Sequence, residues 1–429
     1  MAQQTSLVAP AFAAIFAKNW LFQLTQRPLS DQATSVQGAE QQASPTPLKK
    51  SASSKQAIRW SLRWLGGGLL WLLLVLPAQA AVELRVAVSQ GKDVISVGSS
   101  TTGIISNGNG QPLYQLPELQ GITIKADGNE VDLTNGNQTL SESSAFWLEP
   151  SEDGFVWIGD RWYRGRVMVT LEAGKLTAIN YVDLDDYLYS VVASEMPSSW
   201  PQAALQSQAV AARSYALYKR SRNRNPLYDV DATTNYQVYK GLAQEQPSTI
   251  AAVQSTLNQV VTHNGEVIEA IFHSSSGGFT ENASEVWSSD VPYLRGVEDY
   301  DQSAPVFSWE KTFTLSEFSD KIGGIGRIRN IGTPRLTTRG RVTTISFTGE
   351  NGSKTLKGSE VRSALQLRST RFTISIDERA NQVRVAGFGF GHGVGMSQWG
   401  ARTLAEKGWS FDQILQHYYQ STAIAQLEN

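Results

Sequence analysis

From residue 82 to about residue 180, apolar and polar positions alternate. Residues 83–88 (Glu-Leu-Arg-Val-Ala-Val), 121–125 (Gly-Ile-Thr-Ile-Lys) and 166–171 (Arg-Val-Met-Val-Thr-Leu) carry an apolar side chain at every second position. That spacing fills one face of a strand. Asn-Gly-Asn-Gly at 107–110 and Asp127-Gly128 mark turns between such runs. The pattern predicts a β-rich unit over 82–180, with no catalytic constellation in it and packing as its default role.

The period changes at Asp183. Leu184, Leu188, Val191 and Val192 recur at helical spacing, and Asp183, Asp185 and Asp186 sit where a helix N-terminus favours negative charge. Pro197 ends that helix. A second helix is expected to start near residues 198–201, with a Ser cap and Pro201 in its first turn, and to run through Tyr218. Its many alanines permit close helix packing. Asn264-Gly265 predicts a hairpin within 260–268, and Asn351-Gly352 a second between 342–347 and 354–356. Ser410-Phe-Asp-Gln413 is a capping box for a last helix through Tyr419. Residues 300–375, with Trp309 and a strand-like stretch at 341–347, read as a further β-rich part of the core. The expected class is α+β: a small β-rich domain at 82–180 and a mixed core at 181–429.

The first eighty residues carry neither period. Residues 1–58 are rich in Gln, Ser, Ala and Pro and are expected to be a disordered leader, with a short amphipathic stretch at 15–24. Lys49, Lys50, Lys55, Arg59 and Arg63 then precede an apolar run at 64–76, Pro77 and Ala78-Gln79-Ala80. A basic flank, a short apolar core and Ala-x-Ala read as a signal peptide over 59–81, or as a membrane anchor if uncleaved. Either one exports the remainder, to the periplasm or cell envelope.

Composition narrows the chemistry. Among 429 residues, Lys+Arg 37 against Asp+Glu 39 leaves a net charge of −2, which excludes a strongly basic nucleic-acid binder. The absence of cysteine excludes disulfides, thiolate metal sites and cysteine nucleophiles. Four histidines (His263, His273, His392 and His417) leave little for a His-rich metal site, and no metal or cofactor is expected.

Three segments carry candidate chemistry. Glu195 closes a mostly apolar helix, where the negative helix end and burial both raise a carboxyl pKa. A carboxyl kept protonated near neutral pH suits a general acid; a solvated helix-end residue is the bland alternative. Ser274-Ser275-Ser276-Gly277-Gly278 offers hydroxyls and backbone N–H groups after an apolar strand. A serine nucleophile there, with His273 or His392 as base, lacks the Gly-x-Ser-x-Gly elbow and is disfavoured. Gly387, Gly389, Gly391, Gly393 and Gly395 alternate with Phe388, Phe390 and His392. In an extended strand one face would then be bare, open to close approach, with the larger side chains opposite.

Together these segments resemble the sporulation stage II protein D (SpoIID)/LytB family. The likeness rests on Glu195-Met-Pro, Trp200-Pro201 and Gln208-Ala-Val-Ala-Ala-Arg-Ser-Tyr215. It extends to Ser274-Ser-Ser-Gly-Gly-Phe-Thr-Glu281 with Val286-Trp287, Leu356-Lys-Gly-Ser-Glu-Val-Arg362, Leu367-Arg-Ser-Thr-Arg-Phe372 and Gly391-His-Gly-Val-Gly-Met-Ser-Gln-Trp-Gly-Ala401. It spans roughly 180–420. The family includes lytic transglycosylases acting on peptide-stripped peptidoglycan glycan strands, and enhancers of a cell-wall amidase. The resemblance implies Glu195 as general acid and then base. The MurNAc 6-hydroxyl would be the nucleophile, leaving a 1,6-anhydro end. It implies Arg213 as a residue that holds substrate or orients Glu195, with structural salt bridging as its equal rival. Gln208, Ser274, Ser275, Ser276, Gly277, Gly278, Gly391, His392, Gly393 and Gln398 are the implied glycan-binding residues. Glu195, the turn at 274–278 and His392 are expected in one cleft. Partners are glycan strands and, in the non-catalytic alternative, an amidase. Some members bind zinc through Cys and His in the segment matching 228–239. Here Asp231, Asn235 and Tyr236 stand at those places and cannot form a thiolate site.

Overall fold

The computed structural model describes residues 82–427 except 234, 235 and 288. The leader at 1–58 and the signal or anchor segment at 59–81 lie outside the described residues, as does Asn235. Among the described residues no helix is long and apolar enough to cross a membrane.

The alternating runs become two sheets. A seven-stranded sheet has the order Val230–Asp231, Glu83–Lys92, Lys175–Asp183, Arg166–Glu172, Ala145–Pro150, Gly103–Asn107 and Pro112–Leu116. Its pairings are antiparallel except that Val230–Asp231 runs parallel to Glu83–Lys92. A six-stranded sheet runs Arg161–Tyr163, Val156–Ile158, Val94–Ser99, Gly121–Asp127, Glu130–Asn135 and Gln138–Ser143. Leu84, Val86, Ile122, Ile124, Val167 and Val169 are buried and meet in one hydrophobic cluster. The polar positions between them face outward or along the sheet edge, as a two-residue period requires.

Strand Lys175–Asp183 passes directly into helix α1 (Leu184–Glu195). Asp183 caps it, accepting from Asp185 N at 2.8 Å and Asp186 N at 3.3 Å. Helix α2 (Gln202–Arg222) starts differently from the sequence expectation. Its cap position is Pro201, without a side-chain cap bond; the Trp-Pro step fixes the entry backbone, and no serine hydroxyl is needed there. Residues 204–216 of α2 are buried almost all round, because the helix packs against α1, α3 (Pro247–Gln254) and strand Gln259–His263. Alanine at 204, 209, 211, 212 and 216 keeps those neighbours close. The same cluster takes in side chains of both sheets and of the helices, so sheets and helices share one core.

Short helix α4 (Ala283–Trp287) follows the Ser-Gly turn. A second hydrophobic cluster forms around Phe313, Phe318, Phe347, Val361, Val383 and Val385. It is enclosed by strands Ser308–Thr314, Gln382–Phe388 and Phe372–Asp377, by the sheet around Val342–Gly349, and by α5 (Leu315–Ile322) and α6 (Gly358–Leu365). The stretch 300–375 holds most of these strands together with the two helices, while strand Gln382–Phe388 lies beyond it. Its hairpin turns at residues 350–351, since Gly349 pairs with Gly352. Helices α7 (Gln398–Glu406) and α8 (Phe411–Tyr418) complete the core, α8 beginning with the Ser410/Gln413 capping box. A last strand, Ala423–Gln426, pairs with Gln259–His263.

Candidate active site

The C-terminal turn of α1 brings Glu195 to the wall of a cleft of about 680 Å³, a size suited to a small ligand or a few sugar units. Helix α1 is anchored by Tyr187, Leu188, Val191 and Val192, all buried. Met196 leaves the helix in an extended conformation, so the carboxylate lies at the end of the helix.

Glu195 Oε1 accepts a hydrogen bond from Val238 N at 3.1 Å. Buried Gln237 positions that donor: its side chain accepts from Tyr187 Oη at 3.2 Å and donates to Ala212 O at 3.2 Å. Gln398 Nε2 lies 3.5 Å from Glu195 Oε2 and 3.4 Å from Gln208 Oε1. One carboxyl oxygen is thus held as an acceptor while the other borders the cleft through a loose amide contact. Burial raises the Glu195 pKa; the Val238 and Gln398 hydrogen bonds and Lys240 oppose it without cancelling it.

The opposite wall comes from far along the chain. Two-residue strands Phe272–His273 and Met396–Ser397 pair in parallel, which sets His273 beside Ser397 and next to Gln398. Ser274, Gly391 and His392 line the cleft with them, as do Tyr215, Tyr236, Glu269, Trp287 and Phe390. Glu269, the other carboxylate among the described lining residues, is ion-paired with Lys219. His392 is bound on both nitrogens: Nε2 donates to Phe272 O at 3.0 Å, and Nδ1 accepts from Val394 N at 3.1 Å. Burial depresses its pKa to about 4, so the ring is neutral near pH 7.

Of the residues singled out in the sequence, Glu195, Ser274, Gly391, His392 and Gln398 share the cleft, and Gln208 reaches it through Gln398. His273 lines it too, whereas Arg213, Ser275, Ser276, Gly277, Gly278 and Gly393 lie outside its lining. The Ser275 hydroxyl donates to Asp301 Oδ2 and that of Ser276 to Asp299 Oδ2, each at 2.5 Å. Gly277 N and Gly278 N each donate to Asp301 at 2.8 Å. The turn therefore spends its donors on two buried aspartates, and burial raises the Asp299 pKa to about 6. Arg213 is buried and donates to Asp185 Oδ1 from Nη2 at 2.6 Å. Gly393 packs on Arg341, whose guanidinium donates to Gly391 O at 3.2 Å and Ser276 O at 3.1 Å and so ties the two loops together.

The glycine run is not an extended strand. The strand stops at Phe388, and Gly389, Gly391, Gly393 and Gly395 all have positive φ. A Cβ on Gly393 would lie 2.0 Å from Arg341 Nη2, and one on Gly395 2.2 Å from Ile271 O. Left-handed backbone and close approach together require glycine there. In the segment 228–239, Asp231 Oδ1 accepts from Thr233 N at 2.8 Å, and Tyr236 lines the cleft. With no cysteine in the chain, this donor set does not fit a thiolate metal centre.

Sequence reasoning did not single out Gln237, Val238, Glu269 or Arg341 for the site. Each acts through a contact distant in sequence and has no local signature.

The family described as "Stage II sporulation protein" matches residues 172–263, and a "Domain of unknown function" matches 291–395. The chain is 35% identical over 274 residues to Stage II sporulation protein D of Bacillus subtilis, covering 58% of this chain and 77% of that protein. It is 33% identical over 282 residues to an uncharacterized protein of Brachyspira hyodysenteriae, covering 64% and 75%. To the Amidase enhancer of Bacillus subtilis it is 30% identical over 292 residues, covering 55% of this chain and 40% of that protein. On this likeness, which spans the helix bearing Glu195, the chain belongs to the SpoIID/amidase-enhancer family.

Proposed function

We propose that this is an exported cell-wall protein that cleaves peptidoglycan glycan strands as a lytic transglycosylase. The observation that carries the reading is Glu195: a partly buried carboxyl of raised pKa, one oxygen fixed by Val238 N, on the wall of a ligand-sized cleft. In its acid form Glu195 gives a proton to the oxygen between MurNAc and GlcNAc. The C1–O bond breaks and its electron pair leaves with that oxygen. The resulting carboxylate takes the proton of the MurNAc 6-hydroxyl as O6 bonds to C1, which closes the 1,6-anhydro ring and restores the acid. One carboxyl serves both steps because the substrate supplies its own nucleophile. A retaining hydrolase would need a second free carboxylate about 5 Å away, and Glu269 is committed to Lys219.

The test compares the wild-type protein with Glu195→Gln on glycan strands with and without stem peptides, reading the ends by mass spectrometry. Anhydro ends from the wild type and none from the variant are expected. Ends carrying added water would make the protein a hydrolase.

Likeness to the Amidase enhancer favours a second reading, a non-catalytic partner of a cell-wall amidase. Stimulation of a purified amidase by Glu195→Gln as strongly as by the wild type, with no anhydro products from either protein, would select it.

A further inference from the structure

His273 is 5% exposed and lines the cleft. Its Nδ1 lies 3.1 Å from Val394 O. A carbonyl can only accept, so Nδ1 carries the hydrogen and Nε2 carries a lone pair. That Nε2 is buried and has no hydrogen-bond partner. A buried acceptor left unpaired is costly, and a ligand donor would recover that cost. Burial, His392 and Arg341 all hold the ring's pKa well below its ordinary value, so the lone pair is present at neutral pH. The adjacent His392 ring, 5.2 Å away by centroid, is itself 5.2 Å from the ring of Trp287. Trp287 is 47% exposed and also lines the cleft. An unpaired acceptor and an open aromatic face thus flank one locked imidazole.

We infer that His273 and Trp287 form a sugar subsite, in which a pyranose ring lies on Trp287 and one of its hydroxyls donates to His273 Nε2. The inference rests on the glycan reading above and deepens it. Apolar CH faces of sugars suit an indole, and a hydroxyl suits a neutral imidazole acceptor. His273 is a binding residue here, not a proton carrier, because its lone pair is used only to accept.

Two substitutions separate binding from structural support. In His273→Asn the side-chain amide nitrogen takes the place of Nδ1 and keeps the bond to Val394 O, while the Nε2 acceptor is lost. In His273→Gln the amide oxygen takes the place of Nε2, and the Val394 bond is lost. Both are made in the Glu195→Gln protein so that glycan is bound without turnover, and affinity for peptide-free glycan strands is measured by calorimetry. His273→Asn should bind about tenfold more weakly and His273→Gln within about threefold of the parent, the scale of one hydrogen bond to a buried acceptor. Equal affinity in His273→Asn, or an equal loss in both variants, overturns the subsite and leaves the glycan reading standing. No binding by the parent overturns the glycan reading and the subsite with it. Should His273→Gln fail to fold, imidazole ¹⁵N shifts of the His273-bearing parent decide: Nε2 should move on glycan addition, and an unmoved signal overturns the assignment.

Discussion

Arg213 → Met tests whether a residue of the family motif serves the site or the scaffold. Arg213 is 1% exposed and lies mid-way along α2. Its Nε and Nη2 donate to Asp185 Oδ1 at 3.0 and 2.6 Å, Nη1 to Gln259 O at 3.1 Å, and Nη2 to Val253 O at 3.4 Å. One guanidinium therefore holds the start of α1, the end of α3 and the strand that follows. Methionine fills similar volume without a donor. It leaves Asp185, 19% exposed at its side chain, without its cation and Gln259 O without the guanidinium's hydrogen bond, while Val253 O keeps its bonds from Thr256. Breaking a buried pair in this way costs about 3–5 kcal/mol. Lysine restores the charge but not the fork, and should recover about half of that loss. Urea unfolding followed by tryptophan fluorescence reads the stability. Glycan binding, measured at a temperature where every variant is folded, should be unchanged, because Arg213 is not among the cleft-lining residues. A methionine variant as stable as the wild type but unable to bind or cleave glycan would refute this and return Arg213 to the site.

Four further outcomes are expected. Because burial raises the Glu195 pKa, activity should fall as pH rises through that raised value; a profile flat across the carboxyl range would deny Glu195 the acid role. The same shift opposes folding once pH exceeds the ordinary value of 4.5, since the folded state binds the proton more tightly, so Glu195→Gln should stabilise the fold at neutral pH and lose that advantage in acid. His392 works in the opposite sense: its folded pKa of about 4 lies below the ordinary 6.5, so it contributes stability that is lost as pH falls through that window. His392→Asn should therefore show a flatter acid limb in melting experiments, and an unchanged limb would rule this out. Gly393→Ala combines a left-handed backbone with a clash on Arg341 and should cost at least about 2 kcal/mol. Gly110→Ala, at similar φ in open space, should cost only about 1 kcal/mol in the same assay.

Parts of the fold were legible because their causes are local. Asp183 capping α1, Asn264 and Gly265 both at positive φ in a hairpin, and the Ser410/Gln413 box each depend on residues within a few positions. The α+β class followed from two clear periods. The glycine run misled because glycine at every second position mimics a strand period, while the backbone uses each glycine for a left-handed step. The Ser cap of α2 failed because the Trp-Pro step already directs the chain. For the site, Glu195 was visible as a carboxyl closing an apolar helix. Its donor Val238 lies 43 residues away along the chain, and Arg341 joins loops 65 and 50 residues distant. Strands of two residues, such as Phe272–His273, are too short to show a period at all.

The parallel pairing of Phe272–His273 with Met396–Ser397 also sets the order in which the cleft can be assembled. Glu195 is made early, but the strand beside His273, the amide of Gln398 and the ring of His392 come from a single late stretch of chain. A ribosome halted anywhere before residue 391 has made Glu195 without the part of the opposite wall that Gly391, His392 and Gln398 supply. The described cleft has its full lining only once that stretch is in place.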